Sequence, residues 1–157
     1  MVRLRQAHAD DAARLYRWRV DVETVRQSTA PPPGSLDEQR LWLERVLLDA
    51  DVALYVAYDD ERGVDVGTVR LDRRGDGEAE MSITVDPDER GRGYSRDLIA
   101  RGIEAAGNVR VVARIKPGNT RSLRAFRALG FDGREDVTGG LLRLVREPSR
   151  SSGRAGA

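Results

Sequence analysis

The chain has 157 residues and a formal net charge of +1, and it contains no cysteine. Its length suits one domain with a buried core, and the missing cysteines exclude disulfides, thiolate metal ligands and a cysteine nucleophile. Because 27 basic side chains are balanced by 26 acidic ones and no apolar stretch could span a bilayer, we expect a cytoplasmic protein that binds neither nucleic acid nor membrane.

The first half of the chain alternates between patterns typical of strands and of helices. It is predicted to form a strand at residues 2–6, a helix at 10–19, a loop at 28–34, a helix at 35–48 and strands at 52–58 and 64–71. Ser35 and Glu38 have the spacing of a capping box, which marks the start of the second helix. His8, the sole histidine, precedes the pair Asp10–Asp11, which we expect to cap the first helix. One histidine cannot build a multi-histidine metal site, so no metal is expected.

The second half continues the alternation. It is predicted to form a strand at residues 79–85, a helix at 95–106, a strand at 109–115, a helix at 119–129 and strands at 131–137 and 140–146. A meander followed by strand, helix, strand, helix and strand indicates an α/β fold with a mixed sheet and helices on both faces. We therefore expect one domain over residues 1–147 and a disordered tail, rich in Ser, Arg and Gly, at 148–157.

The turn between the strand at 79–85 and the following helix is the most informative segment. It contains Gly91 and Gly93, and backbone N–H groups converge where a strand leads through glycines into a helix. Such a turn is suited to a phosphate, and Arg90 and Arg92 add positive charge. It is not a dinucleotide fingerprint, because Arg96 stands where a third glycine is required. The alternative is a tight turn that needs glycine for its positive φ alone.

A second segment, residues 119–131, adds to this signal, with Asn119 as a predicted N-cap and Gly130 just past the helix end. Together the two segments resemble the GNAT superfamily of acyl-CoA N-acyltransferases, over about residues 2–147. The family's pyrophosphate turn, Arg/Gln-x-x-Gly-x-Gly/Ala, is matched at Arg90, Gly93 and, with a less usual serine, Ser95. Its later helix, Asn-x-x-Ser-x-x-x-Tyr-x-x-x-Gly-Phe, is matched at Asn119, Ser122, Gly130 and Phe131, with Phe126 in place of tyrosine.

The resemblance implies a fold, a cofactor and the residues that hold it. The GNAT fold is a mixed, mostly antiparallel sheet of six or seven strands with about four helices on both faces. A bulge near the end of the fourth strand separates it from the fifth and opens a V for the pantetheine arm. The cofactor would be acetyl-CoA, and the implied binding residues are Val85, Arg90, Gly91, Arg92, Gly93, Tyr94, Ser95, Asn119 and Phe126.

Two residues are candidates for catalysis. An ammonium substrate must lose a proton before it attacks, and Glu80 lies where several members of the family carry a glutamate base. Alternation places Glu80 on one strand face with Ser82 and Thr84; the alternative is a solvated or ion-paired residue. Phe126 cannot protonate the leaving thiolate as the usual tyrosine does, so Ser122 or a water is expected to do so.

The N-terminal third is expected to hold the acceptor. It resembles a GNAT branch that acetylates amino sugars on nucleotides or the N-termini of ribosomal proteins, which implicates Trp18, Arg19, Arg26 and Trp42. The tryptophans have an alternative place in the core, and the arginines in surface ion pairs.

Three functions therefore remain open. The first is an N-acetyltransferase acting on a small primary amine, with a nucleotide-linked amino sugar as the leading substrate. The second is a protein N-terminal acetyltransferase of the ribosomal-protein type. The third is an acyl-CoA-binding module without catalysis, in keeping with Phe126. The expected partner is a small-molecule amine, and the chain is expected to be a monomer or a homodimer.

Overall fold

The computed structural model describes residues 1–73, 75, 77–133, 135–136 and 139–150. Within these residues the chain forms one seven-stranded sheet and five α-helices. The strands are β1 (Val2–Gln6), β2 (Val52–Asp59), β3 (Val64–Asp72), β4 (Glu78–Val85), β5 (Arg110–Ile115), β6 (Glu135–Asp136) and β7 (Leu141–Arg146). The helices are α1 (Ala12–Arg19), α2 (Val22–Gln27), α3 (Leu36–Leu48), α4 (Tyr94–Ala106) and α5 (Thr120–Ala128). None of the described helices is long and apolar enough to cross a bilayer.

The strands lie in the order β1-β2-β3-β4-β5-β7-β6. Every described neighbouring pair is antiparallel except β4 and β5, which are parallel because α4 crosses over between them. This confirms the predicted α/β class and the mixed, mostly antiparallel sheet.

Two elements differ from the prediction. Helix α2 was missed because it has six residues and no buried side chain, so its sequence shows no apolar stripe. The strand predicted at residues 131–137 is reduced to β6 and an isolated bridge between Asp132 and Val145. Residues 134 and 137 of that prediction lie outside the described residues, as does the predicted tail from residue 151 onward.

The core lies on both faces of the sheet. One cluster of buried side chains packs β3, β4, β5 and β7 against α4 and α5, and includes Leu98, Ile99 and Phe126. A second cluster packs β2 against α1 and α3, and includes Leu15 and Trp18. The second cluster covers only the β2 side of its face, so the neighbouring part of β3, β4 and β5 is left open on that face.

Strands β4 and β5 diverge soon after they meet. They pair at Glu78↔Arg110, Ala79↔Val111 and Glu80↔Val112, and nowhere beyond in the described ladder. The bulge expected in β4 is absent, since the register against β3 runs unbroken from Gly67↔Val85 to Asp72↔Glu80. A bulge is found in β3 instead, where Ala57↔Gly67 is followed by Tyr58↔Asp65 and leaves Val66 unmatched against β2. The V is therefore formed by the end of the β4–β5 pairing.

Candidate active site

A cleft of about 990 Å³ opens where β4 and β5 separate. One end, here the glycine-turn end, is formed by residues 89–91 and 93–96 and by the start of α5, residues 118–122 and 124–126. The other end, here the roof end, is formed by the last residue of α1, by α2 with the following residues to 30, and by side chains of α3 and β3. The floor between them is the open face of β3, β4 and β5.

At the glycine-turn end, a row of backbone N–H groups is unused. Gly91 and Gly93 have φ values of 78° and 84°, a conformation that side chains other than glycine rarely adopt. Within the described part of the chain, the N–H groups of residues 91 to 95 donate to no protein acceptor. A Cβ added at either glycine would meet nothing within 4 Å, so the space in front of these donors is open. Unused donors at the start of α4 fit a phosphate or pyrophosphate.

A side-chain network fixes this turn from behind. The hydroxyl of Tyr94 donates to Asp59 at 2.7 Å and accepts from Arg62 at 2.8 Å. Arg62 also forms an ion pair with Glu89 at 2.5 Å. Burial raises the pKa of Tyr94, and the bond from Tyr94 lowers the pKa of Asp59. The buried ring of Tyr94 is thus held by a partly exposed network, and Tyr94 can serve a cofactor through its backbone.

The arginine side chains of the turn point elsewhere. Arg90 donates to Asp21 at 2.5 Å and to Thr24 at 3.0 Å, both on or beside α2. Arg92, predicted to contact the cofactor, pairs with Glu89 at 3.2 Å and does not line the cleft. Three other arginines, exposed and without an ion-pair partner among the described residues, line the cleft at this end: Arg96, Arg121 and Arg124. Their proximity depends on how α4 and α5 meet, which sequence reasoning did not resolve.

Helix α5 presents the second predicted motif to the same end. The Asn119 side chain accepts from the Ser122 N–H at 3.3 Å, so the predicted N-cap is confirmed. Ser122 and Phe126 lie one turn apart and both line the cleft. Phe126 is only 2% exposed and packs edge-on against Phe131, with ring centroids 5.0 Å apart. The Phe126 ring therefore belongs to the core and to the cleft wall together.

The predicted base, Glu80, lies on the floor at the apex of the V, the point where the pairing between β4 and β5 ends. The β3–β4 register places Asp72 directly opposite Glu80 and Arg70 opposite Ser82, all on one face. Glu80 is also the last β4 residue paired with β5. Its carboxylate accepts from Arg114 at 3.4 Å and is 47% exposed, so a bound molecule could reach it. Glu80 thus stands where the two ends of the cleft meet.

Val85, at the far end of the same strand, also lines the cleft. The N–H of Asp86 donates to Val66 on the β3 side at 2.8 Å. Because consecutive N–H groups of a strand point to opposite edges, the Val85 N–H is expected to point toward the open V. This suits the backbone role that the resemblance assigns to Val85.

The roof end is closed by α2, which is tied at both ends. Arg90 holds Asp21, the N-cap residue, and this bond lowers the pKa of the Asp21 carboxyl. At the other end, the Lys116 ammonium donates to the Arg26 carbonyl at 2.7 Å. Both ties come from loops that border the glycine-turn end. No side chain of α2 is buried, so these polar contacts hold the roof in place.

Two of the four predicted acceptor residues line the cleft. Arg19 extends from the end of α1, and Trp42 lies on α3 with the Arg70 guanidinium 5.7 Å from its ring centroid. Trp18 does not: it is 1% exposed and packs in the core with Leu15, three residues earlier on α1. This corrects the predicted substrate contact of Trp18.

Arg26 needs the same correction. Its side chain is 70% exposed, pairs with Glu23 at 3.2 Å and lies outside the cleft lining. Glu23 and Gln27 line the cleft instead. The sequence did not predict them, because α2 was not recognised as a helix and the face that it turns to the cleft could not be assigned. Arg70 and Asp72 were also missed, although their alternation with Val69 and Leu71 was a usable signal.

Comparison with known proteins assigns the family. The chain matches the family model of the acetyltransferase (GNAT) domain over residues 2–132. Similar folds include a spermidine N-acetyltransferase from Vibrio cholerae in complex with CoA and spermine, 19% identical, covering 92% of this chain and 94% of that one, with a TM-score of 0.81. The aminoglycoside acetyltransferase AAC(6')-Ib with coenzyme A is 21% identical, covering 94% and 95%, with a TM-score of 0.80. Its complex with coenzyme A and kanamycin is 23% identical, covering 94% and 95%, with a TM-score of 0.78.

No match to the chain is found among curated proteins. The family model covers most of the chain, and the fold and the open V agree with it. The chain therefore belongs to the GNAT acetyltransferase family, and it is an acetyl-CoA-dependent N-acetyltransferase.

Proposed function

We propose that this enzyme acetylates a primary amine of a small molecule beside Glu80. The observation that carries the proposal is the place of Glu80 at the apex of the V, between unused N–H donors on one side and a polar, roofed space on the other. An amine held in the roof end would meet an acyl donor held in the glycine-turn end at this point. Such positioning of two reactants supplies a large part of an enzyme's rate enhancement.

The glycine-turn end has the donors that acetyl-CoA requires. The free N–H groups of residues 91 to 95 would hold the pyrophosphate, and Arg96, Arg121 and Arg124 would surround its phosphates with positive charge. The backbone of Val85 would bind along the pantetheine arm at the open edge of β4, and Asn119 would border it from α5. When bound, acetyl-CoA supplies an acetyl group activated as a thioester.

The residues of the apex would then move the protons. Glu80 would take the proton from the ammonium group, directly or through a water, so that a neutral amine attacks. The hydroxyl of Ser122 or a water would return a proton to the departing thiolate, since Phe126 has none to give. A CoA thiolate leaves readily near neutral pH, so this second transfer contributes less than the first.

The roof end favours a small molecule over a peptide. An acidic groove would suit the N-terminus of a protein, but the cleft carboxylates of Asp72, Glu80 and Glu23 each face an arginine. The indole of Trp42 forms an apolar wall of the kind that carbohydrate rings pack against. These features support the nucleotide-linked amino sugar as the specific candidate. Spermine and kanamycin, found in structures of similar fold, are polycations, which the arginines lining the cleft would repel.

The test is thiol release from acetyl-CoA, followed with a thiol-reactive dye across a panel of amines. The panel contains a nucleoside-diphosphate amino sugar, spermidine, kanamycin and short peptides with free N-termini. Release that depends on a small amine, with mass spectrometry showing one added acetyl group, is the expected result. Acetyl-CoA binding by calorimetry without release for any amine would identify a binding module instead. Release with peptides alone would identify a protein N-terminal acetyltransferase.

A further inference from the structure

Arg19 is an unneutralised cation inside the cleft. Its guanidinium donates to the hydroxyl of Ser28 at 3.5 Å and to the carbonyl of Pro31 at 3.1 Å, and both acceptors are neutral. Within the described part of the chain, no carboxylate lies at ion-pair distance from Arg19. Its side chain is partly buried and lines the roof end. A partly buried charge that only neutral groups solvate is a costly arrangement unless a ligand completes it.

The neighbouring arginines differ from Arg19 in this respect. Arg70 holds Asp72 with two hydrogen bonds of 2.7 and 2.8 Å, and Arg90 holds Asp21 at 2.5 Å. Arg114 faces Glu80 at 3.4 Å. Each of these positive charges is balanced within the protein, so the positive potential of the roof end centres on Arg19.

The electrostatics of Arg19 agree with this geometry. Burial lowers the pKa of the Arg19 guanidinium, and the like charge of Arg70 lowers it further. An arginine nevertheless remains protonated at neutral pH, so the charge persists. Arg70, whose like charge acts on Arg19, stands opposite Ser82 on the same floor as Glu80. An acceptor lying along this floor would have one group near Arg19 and another near Glu80.

We infer that Arg19 binds an anionic group of the acceptor, a phosphate or a carboxylate, while the amine of the same molecule reaches Glu80. A guanidinium offers such a group two parallel N–H donors, which is the strong form of this interaction. The bound anion replaces the missing carboxylate partner and neutralises the repulsion between Arg19 and Arg70. This inference rests on the proposed function and specifies the substrate class of that site.

The experiment compares amino sugars without and with an anionic group. Glucosamine, its 6-phosphate, an analogue with a carboxylate and a nucleoside-diphosphate amino sugar are assayed by thiol release with the wild type, Arg19→Gln and Arg40→Gln. We expect at least one anionic amine to be preferred over glucosamine in kcat/KM by about tenfold or more, and Arg19→Gln to remove this preference by raising KM. The phosphate and carboxylate arms tell the two anions apart.

The control variant Arg40→Gln also removes one positive charge, but the Arg40 side chain is exposed on α3, pairs with Asp37 and lies outside the cleft. It should leave all kinetic constants within about twofold. Equal losses for neutral and anionic amines in Arg19→Gln would overturn the inference, because they indicate a structural role. So would a preference for spermidine or kanamycin that Arg19→Gln leaves unchanged.

A binding measurement separates this inference from the proposed function. Glucosamine 6-phosphate is titrated calorimetrically into the wild type and into Arg19→Gln, each saturated with CoA so that no acetyl transfer occurs. Weaker binding in Arg19→Gln supports the anion site even if no amine is turned over. Unchanged affinity contradicts it even if glucosamine is acetylated. Thermal unfolding of both variants shows whether each is folded.

Discussion

The two ends of the cleft are built in opposite ways. The glycine-turn end rests on α4, whose side chains Tyr94, Leu98 and Ile99 are buried in the main core. The roof end is covered by α2, none of whose side chains is buried. One end is therefore held by apolar burial and the other by polar contacts with Arg90 and Lys116.

This difference sets how easily each end can move. Burial stabilises at about 25 cal/mol per Å² of apolar surface, whereas a partly exposed ion pair contributes about 0–1 kcal/mol. Lifting α2 breaks a few such contacts, but displacing α4 would open the core. Segments with few buried contacts are the ones that open locally in native proteins. We therefore expect the donor site at the glycine-turn end to be rigid and the acceptor site at the roof end to be adjustable.

The largest effect is expected at the apex, where the ends meet. Glu80→Gln removes the proposed base without a change of shape, so kcat/KM should fall by about 10² or more while acetyl-CoA affinity is kept. The loss should shrink at high pH, where free amine is abundant. Glu78→Gln is the matched control, because Glu78 lies two residues earlier, pairs with Arg143 and Arg110, and is outside the cleft. A wild-type rate for Glu80→Gln at pH 7 would assign proton removal to water.

A second variant attacks the rigid end. In Gly93→Val a branched side chain would fill the space before the free N–H groups and strain a residue with φ of 84°. Acetyl-CoA affinity measured by calorimetry should fall at least about tenfold, or about 1.4 kcal/mol. Gly63→Val is the control for strain, since Gly63 has φ of 66°, equally open surroundings and a place outside the cleft. Equal acetyl-CoA affinities for the two variants would contradict the assignment of the turn to pyrophosphate binding.

The adjustable end is tested through its tie to Arg90. Asp21→Asn keeps an N-cap residue for α2 but removes the carboxylate that Arg90 holds. The acceptor KM should rise a few-fold as the roof loosens, with acetyl-CoA affinity less affected and stability lowered by about 1 kcal/mol or less. Asp37→Asn is the control, because Asp37 pairs with Arg40 on an exposed surface of α3. A larger loss of acetyl-CoA affinity than of acceptor affinity would contradict the division between the two ends.

The same pair has a defined pH dependence. Arg90 holds the pKa of Asp21 below the unfolded value of 3.8. The stabilisation is therefore fully present above pH 3.8 and is lost as the pH falls through the lower pKa of the folded state. In thermal melts, the difference between the wild type and Asp21→Asn should shrink below pH 3.8 and stay constant between pH 5 and 7.

The smallest effect is expected for Phe126→Tyr. The added hydroxyl would lie beside the cleft one turn from Ser122, where it could protonate the leaving thiolate. We expect a modest gain in kcat, or none if thiolate departure is not rate-limiting. If the hydroxyl points into the core against Phe131, it costs roughly 1–3 kcal/mol. A clear fall in Tm that acetyl-CoA does not offset would mark Phe126 as a core residue without mechanistic meaning.

The rigid end was readable from the sequence, whereas the adjustable end was readable only in part, through Arg19 and Trp42. Strand β4, the glycine turn and α4 follow one another locally, so the period of their apolar residues and the two glycines were enough to place them. Trp18 could have been assigned to the core, because it shares a buried helical stripe with Leu15. Arg19, by contrast, is distinguished by having no carboxylate partner among the described residues, and only the three-dimensional structure reveals this.

The register between strands was the other feature that the sequence alone did not predict. The sequence shows that Arg70 and Asp72 alternate along β3, but not that they lie opposite Ser82 and Glu80. Pairing between strands depends on turn geometry and on long-range packing, and neither can be read from the sequence of one strand. For the same reason the V was expected from a bulge in β4, while the structure forms it by ending the β4–β5 ladder after Glu80.

That short ladder has a consequence for how the protein behaves in solution. From residue 81 to residue 85, β4 has an unpaired edge in the middle of the sheet. An unpaired edge is a template on which another chain can add a strand, and proteins commonly shield such edges. Here the edge borders the cleft, and the arm of a bound cofactor would cover it. Preparations without acetyl-CoA should therefore aggregate sooner on warming than saturated ones, because the bound ligand covers the strand edge through which two molecules could associate.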